Sequence, residues 1–212
     1  MWGTRTPPPP TPTIEEVRKQ ARVLVIDDHV LPAQKTFERD GYHFERWSTI
    51  KNLSQLTDGH YHLILLDIHG VGLEESPDLQ GLGILRHIKL SNPAQPVMIY
   101  SAQPQSVSST EYLMMADAVL DKGMSYVEYK ERVDEILLRR ATPGYFIAAM
   151  NCELAEDAVL VPRAVGRALR AMSRGNTEPL RRYLAANLPD IKKIDRILTI
   201  ISIGTSTVQL FA

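Results

Sequence analysis

Four short apolar runs in this 212-residue chain end in polar groups that could do chemistry together. Arg22-Val23-Leu24-Val25-Ile26 ends in Asp27-Asp28, and His62-Leu63-Ile64-Leu65-Leu66 ends in Asp67. Val97-Met98-Ile99-Tyr100 ends in Ser101, and Ala118-Val119-Leu120 ends in Asp121-Lys122-Gly123. Runs of this length and type read as fully buried parallel strands. In a parallel sheet their carboxyl ends share one edge, where loops build sites. Three carboxylates and a lysine gathered there form a site for a divalent cation. Mg²⁺ takes oxygen ligands and keeps several waters, so one or two carboxylates plus a phosphoryl oxygen suit it. A carboxylate beside that cation can attack phosphorus and form an acyl phosphate, with Lys122 and Ser101 stabilising the equatorial oxygens.

The elements that must position these groups alternate along the chain. Thr13 with Glu16 three residues on is a capping box, predicting a lead-in helix from Ile14 to about Gln20. Pro32, Phe37 and the Gly41 stop outline a helix after the first strand, and Tyr42–Trp47 alternates as a second strand. Ile50, Leu53 and Leu56 predict a short helix. Residues 70–81, rich in glycine and acids, predict a long loop, and Leu82, Leu85 and Ile88 resume helical spacing. Ser108–Ala116 and a segment from Val127 to about Arg140 complete the helical predictions. Strand and helix alternating five times give an α/β fold with a parallel sheet and right-handed crossovers.

Thr142-Pro143-Gly144 marks the boundary after which the periodicity is helical only. The chain divides into a Pro-rich tail and lead-in helix (1–20), an α/β domain (21–140) and an α-helical output or dimerisation region (141–212). Pro7–Pro10 with Pro12 predicts a stiff, solvated polyproline II leader. In the helical region Val165, Leu169 and Met172 outline one apolar face. Ile191, Ile194, Leu198, Ile201, Thr205 and Val208 outline another, which needs a partner surface: the preceding helices, the α/β domain or a second subunit.

Charge is nearly balanced, with 24 basic and 25 acidic residues, so no global nucleic-acid or membrane field is implied. Residues 141–212 carry net +3. Cys152 is the single cysteine, read as a packed thiol, and excludes an intrachain disulfide; a cytoplasmic location fits. Met1–Thr6 lacks a signal-peptide core, and the uncharged run Ile197–Ala212 is shorter than the roughly 20 residues of a spanning helix, so no membrane association is expected.

VLVIDDH, LILLDIHG, VMIYSAQ and AVLDKG, in that order, make residues 21–140 resemble the receiver domain of two-component response regulators. The resemblance implies a flavodoxin-like five-stranded parallel sheet of order 2-1-3-4-5. It implies that Asp67 is the phosphoacceptor, that Asp28 binds Mg²⁺ directly and Asp27 through water, and that His69 lends its backbone carbonyl to the metal. Ser101 would be the switch hydroxyl, Lys122 the cationic clamp, and Ala102 the small residue leaving the site accessible. The implied function is a phosphoprotein in two-component signalling or a phosphorelay, charged by a histidine kinase or phosphotransfer protein. It is not an enzyme beyond its own phosphorylation and dephosphorylation. Output is expected through a homodimer of the C-terminal helices or a protein effector.

The chain departs from the family's pattern in its output route. Gly70-Val71-Gly72 stands where a proline is usual, the following loop is longer and carries Glu74, Glu75 and Asp78, Gly123 replaces the proline after the lysine, and Val119 replaces the aromatic switch residue. An aspartyl-phosphate hydrolase would need an acid two residues after the nucleophile, where His69 stands. Of the six histidines none shows metal-ligand spacing, and His29 is read as a surface residue. Arg163, Arg167, Arg170 and Arg174 line one helix face, a solvated stripe whose alternative use is nucleic-acid binding.

Overall fold

The structure, a computed structural model, describes residues 12–102 and 110–211. The polyproline leader through residue 11 and the start of the helix expected at Ser108 lie outside the described residues. The capping box at Thr13 starts α1 (Ile14–Gln20), with both reciprocal hydrogen bonds made. Then follow β1 (Arg22–Ile26), α2 (Gln34–Arg39), β2 (His43–Trp47), β3 (Leu63–Leu66), α3 (Gly81–Ser91), β4 (Val97–Ser101), α4 (Thr110–Leu113), β5 (Ala118–Asp121) and α5 (Tyr126–Arg140). The helix expected over Ile50–Leu56 reduces to one 3-10 turn, Ser54–Leu56. The Asn52 side chain takes the Ser54 and Gln55 N–H groups, and Gly59 at φ 85° turns the chain away.

The sheet is parallel throughout, in the order β2-β1-β3-β4-β5. This is the flavodoxin-like order, with crossovers on both faces. Alternation along the strands divides the core. Val23, Val25, Leu63, Leu65, Met98 and Leu120 face Val17 of α1, Phe37 of α2 and Val133 and Leu137 of α5. Leu24, Ile26, Ile64, Leu66, Val97 and Ile99 face Ile84, Leu85 and Ile88 of α3.

Two residues after α5 the chain enters α6 (Pro143–Leu154), followed by α7 (Ala164–Arg174), α8 (Glu178–Ala185) and α9 (Ile191–Phe211). No spacing in the sequence announces α6, because it is apolar on nearly every side and its helical period is faint. The face of α7 differs from expectation. Val165 and Leu169 are 38% and 43% exposed, and Ala164, Ala168 and Ala171 join Met172 in the buried face. The small alanines let α7 lie close to α9, and the branched residues flank the contact. Cys152 is exposed on α6, not packed.

The buried set of α9 (Ile194, Ile197, Leu198, Ile200, Ile201, Ile203, Gly204, Thr207 and Phe211) is wider than a heptad seam, while Ile191 is exposed. Its covering surface is the chain itself. α6, α7 and α8 cover it on one side, and its C-terminal turns reach the amino-terminal edge of the sheet. There Phe211 enters the sheet's core and meets the His62 ring at 5.3 Å. Ala94, in the turn before β4, enters the helical core, and its carbonyl accepts from Arg140 Nη1 and the Tyr145 hydroxyl. No helix of the described residues is long and apolar enough to cross a membrane.

Candidate phosphoryl and cation site

The carboxyl edge of the sheet holds a cleft of about 440 Å³ lined by Asp27, Asp28, Asp67, His69, Gly70, Ala102 and Lys122, among others. Each residue is held by the strand it follows. Asp27 N–H donates to the Trp47 carbonyl at 3.1 Å and Asp67 N–H to the Ile26 carbonyl at 2.8 Å. These bonds extend the β1–β2 and β1–β3 ladders by one residue, so both carboxylates leave the sheet at a fixed height. Asp27 and Asp67 are buried and Asp28 is exposed.

Lys122 bridges the two buried acids. Its ammonium lies 2.5 Å from Asp67 Oδ2 and 2.8 Å from Asp27 Oδ2. It also lies 4.7 Å from the centre of the Tyr100 ring, which floors the cleft. Desolvation pushes the Lys122 pKa down, but the hydrogen bonds to Asp27 and Asp67 and their charges together outweigh it and hold the ammonium above its usual range. Burial raises the Tyr100 phenol, so that ring is neutral. The sequence puts Tyr100 in the fourth apolar run, and its position beneath the lysine emerges only from the fold.

Asp28 is shaped by its neighbours. Partial desolvation pushes its pKa up, but the hydrogen bond with and charge of His29, together with Asp27 and Lys122, outweigh it and leave the carboxyl below its usual range. His29 Nδ1 lies 2.7 Å from Asp28 Oδ1, and its N–H donates to Asp27 Oδ1 at 2.7 Å. Arg46 of β2 holds this turn by donating to the Asp28 and His29 carbonyls. His29 is exposed, as the surface reading expects, and also lines the cleft, the alternative its place after the acidic pair leaves open.

Among the described residues, the group of three potential metal ligands lying within 4.8 Å of one another is Asp27, Asp28 and His29. The paired carboxylates suit a hard cation, and an imidazole does not favour Mg²⁺. Asp67 is not in that group; Lys122 ties it to Asp27 instead. The donor set therefore fits a divalent cation on Asp27 and Asp28, with the His69 backbone beside them in the cleft wall.

Ser101 is buried at the end of β4, and its carbonyl accepts the Lys122 N–H at 2.9 Å. It is the one predicted site residue that does not line the cleft; Ala102 does. Glu74, Glu75 and Asp78 are exposed and lie outside the cleft lining. Two glycines and a glutamine complete the turn after Asp67, and the sequence reading passes over their role. A Cβ on Gly81 would lie 2.1 Å from the Asp67 carbonyl oxygen, and one on Gly70 would lie 2.8 Å from Asp28 Oδ2. Gln80 Oε1 accepts the Gly70 N–H at 3.0 Å.

No family model matches the sequence, and no curated protein matches it. Solved structures similar to it are response regulator receiver domains. One is a receiver domain protein (CheY-like) from Methanospirillum hungatei, 23% identical over 55% of this chain and 93% of that one, with a TM-score of 0.43. Another is the response regulator TrrA from Thermotoga maritima in complex with Mg²⁺ and BeF, 22% identical over 55% and 98%, TM-score 0.43. TrrA also matches from its complex with the histidine kinase ThkA, 23% identical over 55% and 98%, TM-score 0.43. A match of this extent leaves the C-terminal region unassigned.

Proposed function

We propose that this chain is a phosphorylation-controlled response regulator that accepts a phosphoryl group on Asp67 in a Mg²⁺-dependent reaction. The observation that carries the reading is the Lys122 ammonium bridging Asp67 and Asp27 in the cleft that also holds Asp28. A structural ion pair needs one carboxylate. Two buried carboxylates on one lysine, with Asp28 beside them at the loop edge of a parallel sheet, leave a surplus of negative charge that a further cation would balance.

In the proposed reaction an Asp67 carboxylate oxygen forms a bond to phosphorus as the donor's P–N bond breaks, and the imidazole of a phosphohistidine leaves with the electron pair. Asp67 Oδ1 accepts the His69 N–H at 3.3 Å and Oδ2 faces Lys122, so the carboxylate is fixed before attack. Lys122 neutralises charge on the equatorial oxygens, and Ala102 leaves room for them. A divalent cation held by Asp27 and Asp28 would add the Lewis-acid charge that lets two anions approach. The donor class is a histidine kinase or phosphotransfer protein. The chemistry is limited to forming and hydrolysing the protein's own acyl phosphate.

Within this reading residues 21–140 receive the signal and residues 141–212 pass it to a protein partner or a second copy, in the cytoplasm. The apolar face of α9 is covered intramolecularly, so a partner meets the exposed faces instead. Arg163, Arg170 and Arg174 are exposed, but guanidinium groups fit carboxylates as well as phosphates, and nothing here favours nucleic acid. Incubation with acetyl phosphate and Mg²⁺ should add one phosphoryl group by intact mass, and Asp67→Asn should abolish it. Unreduced labelling of Asp67→Asn would overturn the assignment.

A further inference from the structure

Gln80 is one of two non-glycine residues with positive φ among those described, at φ 51° and ψ −128°. That ψ lies outside the left-handed α region, so the backbone is strained for a residue with a Cβ. Strain of this kind persists where the surroundings over-determine it. Here they do. Gly81, the next residue, presses the start of α3 onto the Asp67 carbonyl, and Gln80 N–H is tied to the Ser76 carbonyl at 2.6 Å.

The strained backbone places the Gln80 side chain against the acceptor turn, where Oε1 accepts the Gly70 N–H at 3.0 Å. That N–H and the His69 carbonyl belong to one planar trans peptide group and point in opposite directions. Fixing the first fixes the second. The same peptide abuts Asp28, because a Cβ on Gly70 would lie 2.8 Å from its Oδ2. A glycine at position 80 would relieve the strain and lose the acceptor. An asparagine would be one methylene short.

We propose that Gln80 is a positioning residue of the cation site: its side-chain carbonyl holds the His69–Gly70 peptide plane and so aims the His69 carbonyl and seats Asp28. The inference rests on the phosphoacceptor reading and adds a residue to it. Groups that orient metal ligands typically change metal affinity by about 10- to 100-fold when removed.

The test uses the full chain and Mg²⁺ alone, without a phosphoryl donor, read by calorimetry, together with amide exchange at Gly70 by NMR. Gln80→Met keeps the side-chain length and removes the acceptor. It should weaken Mg²⁺ binding about 10-fold and speed Gly70 exchange while the thermal midpoint of the metal-free protein stays close to wild type. Gln80→Glu retains an acceptor and should keep Gly70 protected. Mg²⁺ affinity in Gln80→Met within about twofold of wild type, or unchanged Gly70 exchange, overturns the proposal. If Gln80→Met does not fold, Gln80→Gly decides, since its backbone strain is relieved; wild-type affinity there overturns the proposal and weakened affinity supports it. Should the wild type itself bind no Mg²⁺, the phosphoacceptor reading fails. Gly70 exchange in Gln80→Met then decides by itself whether Gln80 holds the peptide.

Discussion

At the scale of single residues, the site is built from opposed charges whose partners are fixed by the backbone. Lys122 is the counter-charge of two buried carboxylates, and a Cβ at Gly81 or Gly70 would displace the acid beside it. A different residue gives stability a pH response between about pH 7 and 5. His62 is buried at the amino-terminal edge of the sheet, and its Nδ1 accepts the Arg22 N–H at 3.0 Å, a role only the neutral ring can play. Burial first, then the positive charges of Arg140 and Arg22, push its pKa down to about 3. In the unfolded chain it titrates near 6.5, so below that pH the unfolded state takes up a proton that the folded state refuses. Stability is full above about pH 6.5 and falls as pH drops toward about 3. Between about pH 7 and 5 the wild type should lose roughly 2 kcal/mol more than His62→Gln, measured by urea unfolding at both pH values. Equal losses would remove His62 from the account.

At the scale of elements, α9 decides how the helical region sits. It crosses α6 and α7 at Gly204, where a Cβ would lie 2.7 Å from Phe146 Cγ and 2.9 Å from Met172 Sδ. The adjacent Ile203 reaches the loop before β3, where a Cβ on Gly59 would meet it at 2.8 Å. Both contacts exist because a glycine removes one side chain from a crowded crossing. Gly204→Ala, although it favours helix intrinsically, should therefore lower stability by about 1–3 kcal/mol through overpacking. Chemical denaturation checks it; a neutral or stabilising effect would mean that the crossing has slack. The same junction buries Arg140 with Nε and Nη2 lacking a hydrogen-bond partner, and burial pushes its pKa down to about 10.

At the scale of the whole molecule, the helical region and the candidate site lie at opposite ends of the sheet. α6 to α9 attach through Ala94, His62, Arg140 and Phe211 at the amino-terminal edge, while Asp27, Asp67 and Lys122 stand at the carboxyl edge. β1, β3 and β4 and the length of α5 connect the two ends. Val119, which the sequence reading sets in place of a switch aromatic, is 38% exposed and lies in neither core cluster. A chain ended after residue 141 would expose His62, Ala94 and the apolar rim that Phe211 covers. Its thermal midpoint should fall well below that of the full chain, as followed by circular dichroism. An unchanged midpoint would mean that the two parts fold independently.

The sequence by itself determined the strands, that they run parallel, and the five polar positions at their ends; their order came from the family resemblance. The strands and polar positions follow from local signals: short apolar runs, alternation, the capping box at Thr13 and glycine stops. It also located Asp27, Asp28, Asp67 and Lys122, because the carboxyl ends of parallel strands must share an edge. Only the tertiary structure decided what covers α9, since a wide apolar stripe names no partner and the sheet edge it meets is assembled from turns far apart in sequence. Only the tertiary structure put Tyr100 beneath Lys122, His29 against Asp28 and Gln80 on the Gly70 amide. Each of those contacts joins residues whose types are ordinary for their local element, so no spacing marks them. They become informative once the backbone brings a charge or an orphan N–H to them.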